Sequence, residues 1–172
     1  VEVPIAREYL SRHTGQRVLE VGNVLSHYGD VDHVVIDKFE RGKGVVNEDI
    51  LEYSPAEQFD LILSISTFEH IGFDDEADGD SGEKIRRAIT ACQALLADAG
   101  RLVLTVPLGY NPALDAMIAD DQLQSDRAFF IRRTGRLQWE PTTAEVALDC
   151  RYGSPFTYAN AVMVAEFGRA AA

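Results

Sequence analysis

The amino-acid sequence predicts an α/β protein built on an open, doubly wound and mostly parallel sheet. Short apolar runs alternate with loops and helical patterns, an order that is typical of parallel strands joined by crossovers. The run FDLILSIS at 59–66 is apolar almost throughout, as expected for a strand that is covered on both faces. The chain has 172 residues, so we expect a single domain over residues 1–172.

The remaining elements are predicted from periodicity and from end signals. Strands are expected at 17–21, 33–37, 101–107 and 160–167, with a weaker strand at 44–49 and a hairpin formed by AFFIRR and RLQWE around Thr134 and Gly135. A first helix is expected at 4–13. The clearest helix covers 80–97, where Asp80 can cap the first turn, Glu83 can complete a capping box and Gly100 can stop the helix.

Several crossovers are short. A parallel crossover usually needs about a dozen residues or more, and the segments between the early strands fall below that length. We therefore expect reduced or missing helices on that part of the sheet, and an antiparallel edge from the C-terminal hairpin.

Charge and composition exclude several partners. The formal net charge is -12, and no basic block interrupts it, which argues against a nucleic-acid backbone as a partner. No apolar run approaches the length of a membrane span, and we expect no signal peptide. Cys92 and Cys150 fit a reduced cytoplasmic protein and lack zinc-site spacing. We expect a cytoplasmic protein with no membrane partner. The sequence does not determine the oligomeric state, and a homodimer is one of the alternatives.

The acidic segment DDEADGD at 74–80 is similar to the first half of a calcium-binding loop. The position that should carry a bidentate glutamate is Ile85, so the segment is better interpreted as a solvated loop before a helix N-terminus. We expect no metal site.

The stretch RVLEVGNVLSHYG at 17–29 begins like a nucleotide-binding strand and turn. Glu20 and Gly22 are in place, but no glycine returns until Gly29. Phosphate-binding dinucleotide loops depend on amide donors and on the close approach that several glycines allow. The missing GxGxxG pattern therefore disfavours a nicotinamide cofactor.

Five segments occur in the order and spacing of one known family. They are VLEVGN at 18–23, VVIDKF at 34–39, NEDILEY at 47–53, FDLILSISTFEHIGF at 59–73 and LLADAGRLVLTVP at 95–107. In this order the chain resembles the S-adenosylmethionine-dependent methyltransferases with a Rossmann-like fold, over residues 17–167. The resemblance implies a doubly wound sheet, with S-adenosylmethionine as cofactor at the carboxyl ends of the strands.

The resemblance also implies site residues. Glu20 would orient the methionine end of the cofactor, Asp37 would accept from the ribose hydroxyls, and Asp49 would meet the adenine amino group with Ile50 packed on the ring. His70 is the candidate catalytic base, because imidazole titrates near neutral pH. The full set of candidate cofactor-binding residues is Glu20, Gly22, Asn23, Asp37, Lys38, Asp49, Ile50 and Ser66.

Each assignment has a structural alternative. Asp37 and Asp49 can simply cap turns, the hydroxyls of Ser66 and Thr67 can bond locally, and His70 can tie down its loop. His13, His27 and His33 are interpreted as surface or turn residues, although His27 could touch the cofactor. The segment GYNP at 109–112 is interpreted as a turn at the rim of a substrate pocket. Tyr110, Trp139 and Tyr152 line that pocket or pack structurally.

The sequence thus leads to one function and two alternatives. The leading function is methyl transfer to a small molecule, with a sugar or a secondary metabolite as acceptor. Oxygen is favoured over nitrogen or carbon as the atom that receives the methyl group. One alternative is a non-catalytic, methyltransferase-like binding protein with a degenerate cofactor loop. The other is a nicotinamide-dependent enzyme.

Overall fold

The computed structural model describes residues 1–74 and 80–170 and confirms the predicted α/β fold. The helices are α1 (Glu2–Arg12), α2 (Ser81–Ala94), α3 (Pro112–Ala119) and α4 (Ala144–Leu148). The strands are β1 (Val18–Val21), β2 (Val34–Ile36), β3 (Val45–Val46), β4 (Phe59–Ile65), β5 (Leu96–Pro107), β6 (Arg127–Arg133), β7 (Trp139–Thr142) and β8 (Ala161–Gly168).

These strands form an eight-stranded sheet in the order β3-β2-β1-β4-β5-β8-β6-β7. β1 pairs in parallel with β2 and β4, and β2 pairs in parallel with β3. β6 pairs antiparallel with β7 and with β8, which confirms the predicted antiparallel edge. The strand order reverses between β1 and β4, so the carboxyl ends beside this point are where a ligand is expected in an open α/β sheet.

The chain divides into two compact units. The first contains Val1–Ile65, Arg87–Val103 and the described residues from Phe167 onward. The second contains the described residues of Ser66–Arg86 together with Leu104–Glu166. The single domain over 1–172 stays a prediction.

The first unit is built around β1 and β4. Every residue of β1 is buried, and so is every residue of β4 except Asp60, which is partly exposed. α1 packs against β4 and buries Ala6. Continuous burial of an apolar strand is the signature of a central position in a parallel sheet, as the sequence predicts for β4.

The early crossovers confirm the prediction of reduced helices. A single 3₁₀ turn, Leu25–Tyr28, connects β1 to β2. Between β2 and β4, where every residue is described, the chain contains no α-helix. The third strand is shorter than predicted and consists of Val45–Val46, because Asp49 already caps the following turn through its bond from the Leu51 amide at 2.9 Å.

The boundary between α2 and β5 differs from the prediction. The helix ends at Ala94 and the strand begins at Leu96, before Gly100. A Cβ atom at Gly100 would lie 2.6 Å from the carbonyl oxygen of Phe59, so this glycine allows close backbone approach inside the strand. The predicted role of Gly100 as a helix stop is therefore wrong.

The second unit contains two helices that the sequence analysis missed. α3 begins directly after Asn111, whose side chain accepts from the amides of Ala113 and Leu114 at 3.0 and 3.3 Å, with Pro112 at the first helical position. GYNP is thus a turn at Gly109, as predicted, that leads directly into a helix which the sequence analysis did not predict. α4 is capped by Thr143.

In residues 1–74 and 80–170, no helix has both the length and the apolar character that crossing a bilayer requires. Cys92 is buried and Cys150 is partly buried, and both are free thiols. Residues 75–79, the centre of the acidic segment, lie outside the described residues, so the prediction of a solvated loop there stays a prediction.

Candidate functional site

The carboxyl ends of β1 and β2 are joined by hydrogen bonds in the first unit. Gly22 has a φ of 89°, a conformation that favours glycine, and its amide donates to the carbonyl of Ile36 at 2.8 Å. The next amide, that of Asn23, donates to Oδ2 of Asp37 at 3.0 Å. The predicted motifs at the ends of these two strands therefore lie side by side.

The carboxylate of Asp37 caps its own turn. Oδ1 accepts from the amides of Phe39 at 2.9 Å and Glu40 at 2.7 Å, and Oδ2 accepts from Asn23. An ionised carboxylate offers about four acceptor positions, so one remains for a further donor. The structural alternative for Asp37 is thus observed, and its ribose role stays a prediction that fits the remaining position.

Glu20 lies fully buried in the middle of β1. Oε1 accepts from the amides of Val24 and Leu25 at 2.9 and 2.7 Å, and Oε2 lies 2.7 Å from Nε2 of His33. The His33 side chain is only 5% exposed, so its prediction as a surface residue is wrong, although the residue does lie in a bend of the chain directly before β2. In this arrangement Glu20 shapes the loop that follows β1.

The loop amides that would have to donate to a phosphate already donate to carboxylates. The amide of Asn23 donates to Asp37, and those of Val24 and Leu25 donate to Glu20. A pyrophosphate site at a strand-to-helix turn requires such amides as donors to the ligand. The geometry of the loop therefore argues against a dinucleotide cofactor, in agreement with the missing glycines.

Polar side chains extend the site beyond the loop. Nδ2 of Asn23 donates to Oε1 of Glu40 at 2.7 Å, and Nε2 of His27 lies 3.1 Å from the same oxygen. Oδ1 of Asn23 accepts from the hydroxyl of Ser26. Glu40 was not identified from the sequence; its only local signal is its place three residues after Asp37 in a capped turn.

The end of β3 supplies the remaining candidates of the first unit. Oδ2 of Asp49 pairs with Nζ of Lys38 at 3.2 Å, and the Asp49 carbonyl accepts from the amides of Glu52 and Tyr53. Ile50 is buried. Lys38 and Asp49 are brought together, and their contact with adenine stays a prediction.

Ser66 and His70 belong to the second unit. Ser66 follows β4 with a φ of 44°, which is uncommon for a residue other than glycine, and its amide donates to the carbonyl of Thr105 at 2.9 Å. Such backbone outliers cluster at functional sites, which agrees with the candidacy of Ser66.

His70, Asp74 and Tyr110 form a hydrogen-bonded group in the second unit. Nδ1 of His70 lies 2.5 Å from Oδ2 of Asp74, and the Tyr110 hydroxyl donates to the same oxygen at 2.7 Å. The His70 side chain is 48% exposed, and its Nε2 lies 3.7 Å from Oε1 of the buried Glu69. Because an ionised carboxylate only accepts, Asp74 fixes the proton of the neutral imidazole on Nδ1 and leaves Nε2 as the basic nitrogen.

Hydrogen bonding also changes the acidity of this group. The hydrogen bond from His70, and then that from Tyr110, hold the pKa of Asp74 below its usual range. The hydrogen bond to Asp74, together with burial, raises the pKa of Tyr110 to about 12. Asp74 is therefore ionised and Tyr110 is neutral at physiological pH.

Tyr110 is also the centre of an aromatic cluster. Its ring meets those of His70, Phe73 and Tyr152 edge to face, at centroid distances of 5.0, 5.8 and 4.9 Å. The structure therefore brings Tyr110 and Tyr152 together, and their role in lining a substrate pocket stays a prediction. Trp139 is on β7, where the Arg133 guanidinium lies 5.9 Å from the centroid of its ring.

Within the described part of the chain, no group of three or more His, Cys, Asp or Glu side chains is arranged to hold a metal ion.

Comparison with known proteins gives matches in structure and none in sequence families. No protein-family model matches the chain, and no curated protein matches it significantly in sequence. The N-methyltransferase NodS from Bradyrhizobium japonicum WM9, solved with S-adenosylhomocysteine, is similar with a TM-score of 0.59 and 18% identity, over 99% of this chain and 86% of that chain.

Two further structures show the same likeness. A S-adenosylmethionine-dependent methyltransferase from Archaeoglobus fulgidus matches with a TM-score of 0.54 and 15% identity, over 95% of this chain and 92% of that one. A TehB-like methyltransferase from Corynebacterium glutamicum ATCC 13032 matches with a TM-score of 0.52 and 18% identity, over 98% and 87%. The chain therefore has the α/β fold of the S-adenosylmethionine-dependent methyltransferases.

Proposed function

We propose that this chain is a S-adenosylmethionine-dependent methyltransferase that acts on a small molecule. The observation that carries the proposal is the placement of Gly22, Asp37 and Asp49 after β1, β2 and β3, three adjacent parallel strands beside the point where strand order reverses. The fold likeness supports the same reaction class.

The residues of the first unit suit this cofactor. Its adenosine part presents two ribose hydroxyls and an amino group, which need acceptors, and its sulfonium centre is positive. Asp37, Glu40 and Asp49 are carboxylates at the ends of β2 and β3, and charged acceptors form the stronger hydrogen bonds. Asp37 would hold the ribose, Asp49 and Ile50 the adenine, and the loop at Gly22 and Asn23 the methionine end. When bound, the cofactor supplies an activated methyl group.

In the second unit, His70 would act as the base. Asp74 holds Nδ1, so Nε2 can accept the proton that an acceptor hydroxyl releases, provided that the oxygen comes within about 3 Å. Alignment of the reactants supplies much of the remaining rate enhancement. We propose a hydroxyl of a sugar or secondary metabolite as the methyl acceptor. Because NodS is an N-methyltransferase, amines are the class of acceptor to be compared with hydroxyls in an activity assay.

Calorimetric titration of the whole chain tests the cofactor assignment. We expect binding of S-adenosylmethionine and S-adenosylhomocysteine and no binding of NAD. Asp37→Ala should lower affinity by about 1.5–3 kcal/mol, roughly tenfold to a hundredfold, because hydrogen bonds to a charged group are lost. The matched control is Asp98→Ala, which removes an exposed carboxylate paired with Arg169. Absence of binding at millimolar S-adenosylhomocysteine would reject the proposal.

A second candidate is a methyltransferase-like binding protein without catalysis. It is favoured by one observation: the turn directly after β1 has Gly22 and no further glycine until Gly29, and the amides of residues 23–25 already bond to carboxylates. A chain that binds S-adenosylhomocysteine but transfers no labelled methyl group to a panel of hydroxyl and amine acceptors would support this candidate.

A further inference from the structure

The loop after β1 is held by a buried acid and a buried histidine. Glu20 is 0% exposed in its side chain and His33 is 5% exposed, and Oε2 of Glu20 lies 2.7 Å from Nε2 of His33. The two residues are thirteen positions apart and come from β1 and from the residue before β2. A buried carboxylate needs hydrogen-bond partners for both oxygens, and His33 supplies the partner of Oε2.

The other oxygen of Glu20 holds the loop itself. Oε1 accepts from the amides of Val24 and Leu25 at 2.9 and 2.7 Å. These are the first two residues after the Gly22-Asn23 turn, and Leu25 opens the 3₁₀ turn with its side chain buried. Where a glycine-rich loop would run into a helix, this chain therefore fixes a non-glycine loop through one carboxylate.

We infer that His33 is a positioning residue for the cofactor loop: by anchoring Glu20 it fixes the amides of Val24 and Leu25 and so sets the shape of the Gly22-Asn23 turn. The inference rests on the proposed function for the identity of the ligand, S-adenosylmethionine or its demethylated product. An ionised carboxylate only accepts, so the geometry requires the proton of His33 on Nε2.

Removal of the His33 donor leaves Oε2 of Glu20 buried without its histidine partner. Such an oxygen is unfavourable, so the carboxylate is expected to turn toward another donor or toward water and to release the loop amides. His33→Leu removes the donor with an apolar side chain, whereas His33→Gln keeps a donor group. His13→Leu is the matched control, since the His13 ring bonds to the Tyr9 carbonyl at the end of α1.

The first experiment measures amide hydrogen exchange by NMR on the whole chain without ligand. We expect the Val24 and Leu25 amides to be protected in the wild type and in His13→Leu, and to exchange at least about tenfold faster in His33→Leu. His33→Gln should restore much of the protection. Unprotected amides in the wild type, or protection that survives in His33→Leu, would overturn the inference.

The second experiment measures the affinity for S-adenosylhomocysteine in the same four proteins. We expect a loss of about tenfold in His33→Leu, partial rescue in His33→Gln and no change in His13→Leu. A wild type that does not bind rejects the proposed function, while the exchange data still judge the loop. A wild type that binds, with His33→Leu equal to it, rejects the inference alone.

A third measurement covers the case in which His33→Leu does not fold. Long-range proton–nitrogen NMR spectra of the wild type identify which ring nitrogen of His33 carries a proton. We expect a proton on Nε2. A neutral ring with its proton on Nδ1 alone would overturn the inference, because Nε2 could then not donate to Glu20.

Discussion

Tyr110 is coupled to Asp74 by a hydrogen bond that favours its neutral form. The pKa of this hydroxyl is raised to about 12, first by its donation to the Asp74 carboxylate and then by burial. A pKa that is higher in the folded than in the unfolded chain makes a contribution to stability that is present below the unfolded value, about 10, and declines as pH rises toward 12.

We therefore predict that the free energy of unfolding of the wild type falls more between pH 10 and pH 12 than that of Tyr110→Phe. Urea unfolding at several pH values measures this difference. An ultraviolet titration should also show that Tyr110→Phe lacks a tyrosine that ionises near pH 12. Loss of a tyrosine that ionises near pH 10 would contradict the assigned hydrogen bond.

His70 presents Nε2 while Asp74 holds Nδ1. We predict that His70→Asn leaves the affinity for S-adenosylhomocysteine nearly unchanged and lowers turnover by about 10²–10⁴-fold, the usual effect of losing a general base. Titration calorimetry and a labelled-methyl assay with an accepted substrate measure the two quantities, with His13→Asn as control. A fall in affinity comparable to that of Asp37→Ala would instead make His70 part of the cofactor site.

Helix α3 depends on a side chain that also bonds outside the helix. The buried Asn111 accepts from two amides of the first turn, and its Nδ2 donates to the carbonyl of Glu69 at 2.8 Å. Thr143, the cap of α4, is exposed and accepts from the Val146 amide at the longer distance of 3.4 Å. The two caps therefore differ in burial and in the number of bonds.

We predict that Asn111→Ala lowers the free energy of unfolding by about 1–3 kcal/mol, because the cap and a buried donor are lost together. Thr143→Ala should cost about 0.5 kcal/mol. Chemical denaturation of the two variants and the wild type measures both effects. Equal losses would show that the bond to Glu69 contributes little.

Element boundaries were predicted well where the signal is local. Asp80 caps α2, as its position before the helical pattern predicts, since it accepts from the Gly82 amide at 2.9 Å. The carboxylate of Glu83 pairs with Arg86 along the helix. The end of α2 was predicted wrongly because Gly100 does not end the helix. It lies in β5, where the absence of a side chain allows the backbone to approach that of Phe59, a residue distant in sequence.

The continuity of β5 bears on how the whole chain unfolds. This strand, Leu96–Pro107, contributes residues to both compact units, and its last six residues are buried. Because the strand cannot melt in part without exposing apolar residues, we predict one cooperative transition. Fluorescence of Trp139, the single tryptophan, reports the second unit, and far-ultraviolet circular dichroism reports the whole chain. Thermal curves that do not coincide would contradict the single-domain prediction.

The sequence by itself determined the succession of strands along the chain, the antiparallel edge and the positions that follow β1, β2 and β3, whereas the order of the strands in the sheet came from the structure. Apolar periodicity and turn residues are local signals, and residues at the ends of adjacent parallel strands meet at one edge of a sheet. Gly22, Asp37 and Asp49 could therefore be placed from the sequence.

Only the tertiary structure decided which polar groups become partners. The burial of His33 against Glu20 and the bond of Tyr110 to Asp74, 36 residues away, depend on how distant segments pack, and neither leaves a periodic signal. The same holds for the engagement of the loop amides by carboxylates. A residue type and its neighbours predict which element it joins, whereas its hydrogen-bond partner depends on the three-dimensional path of the chain.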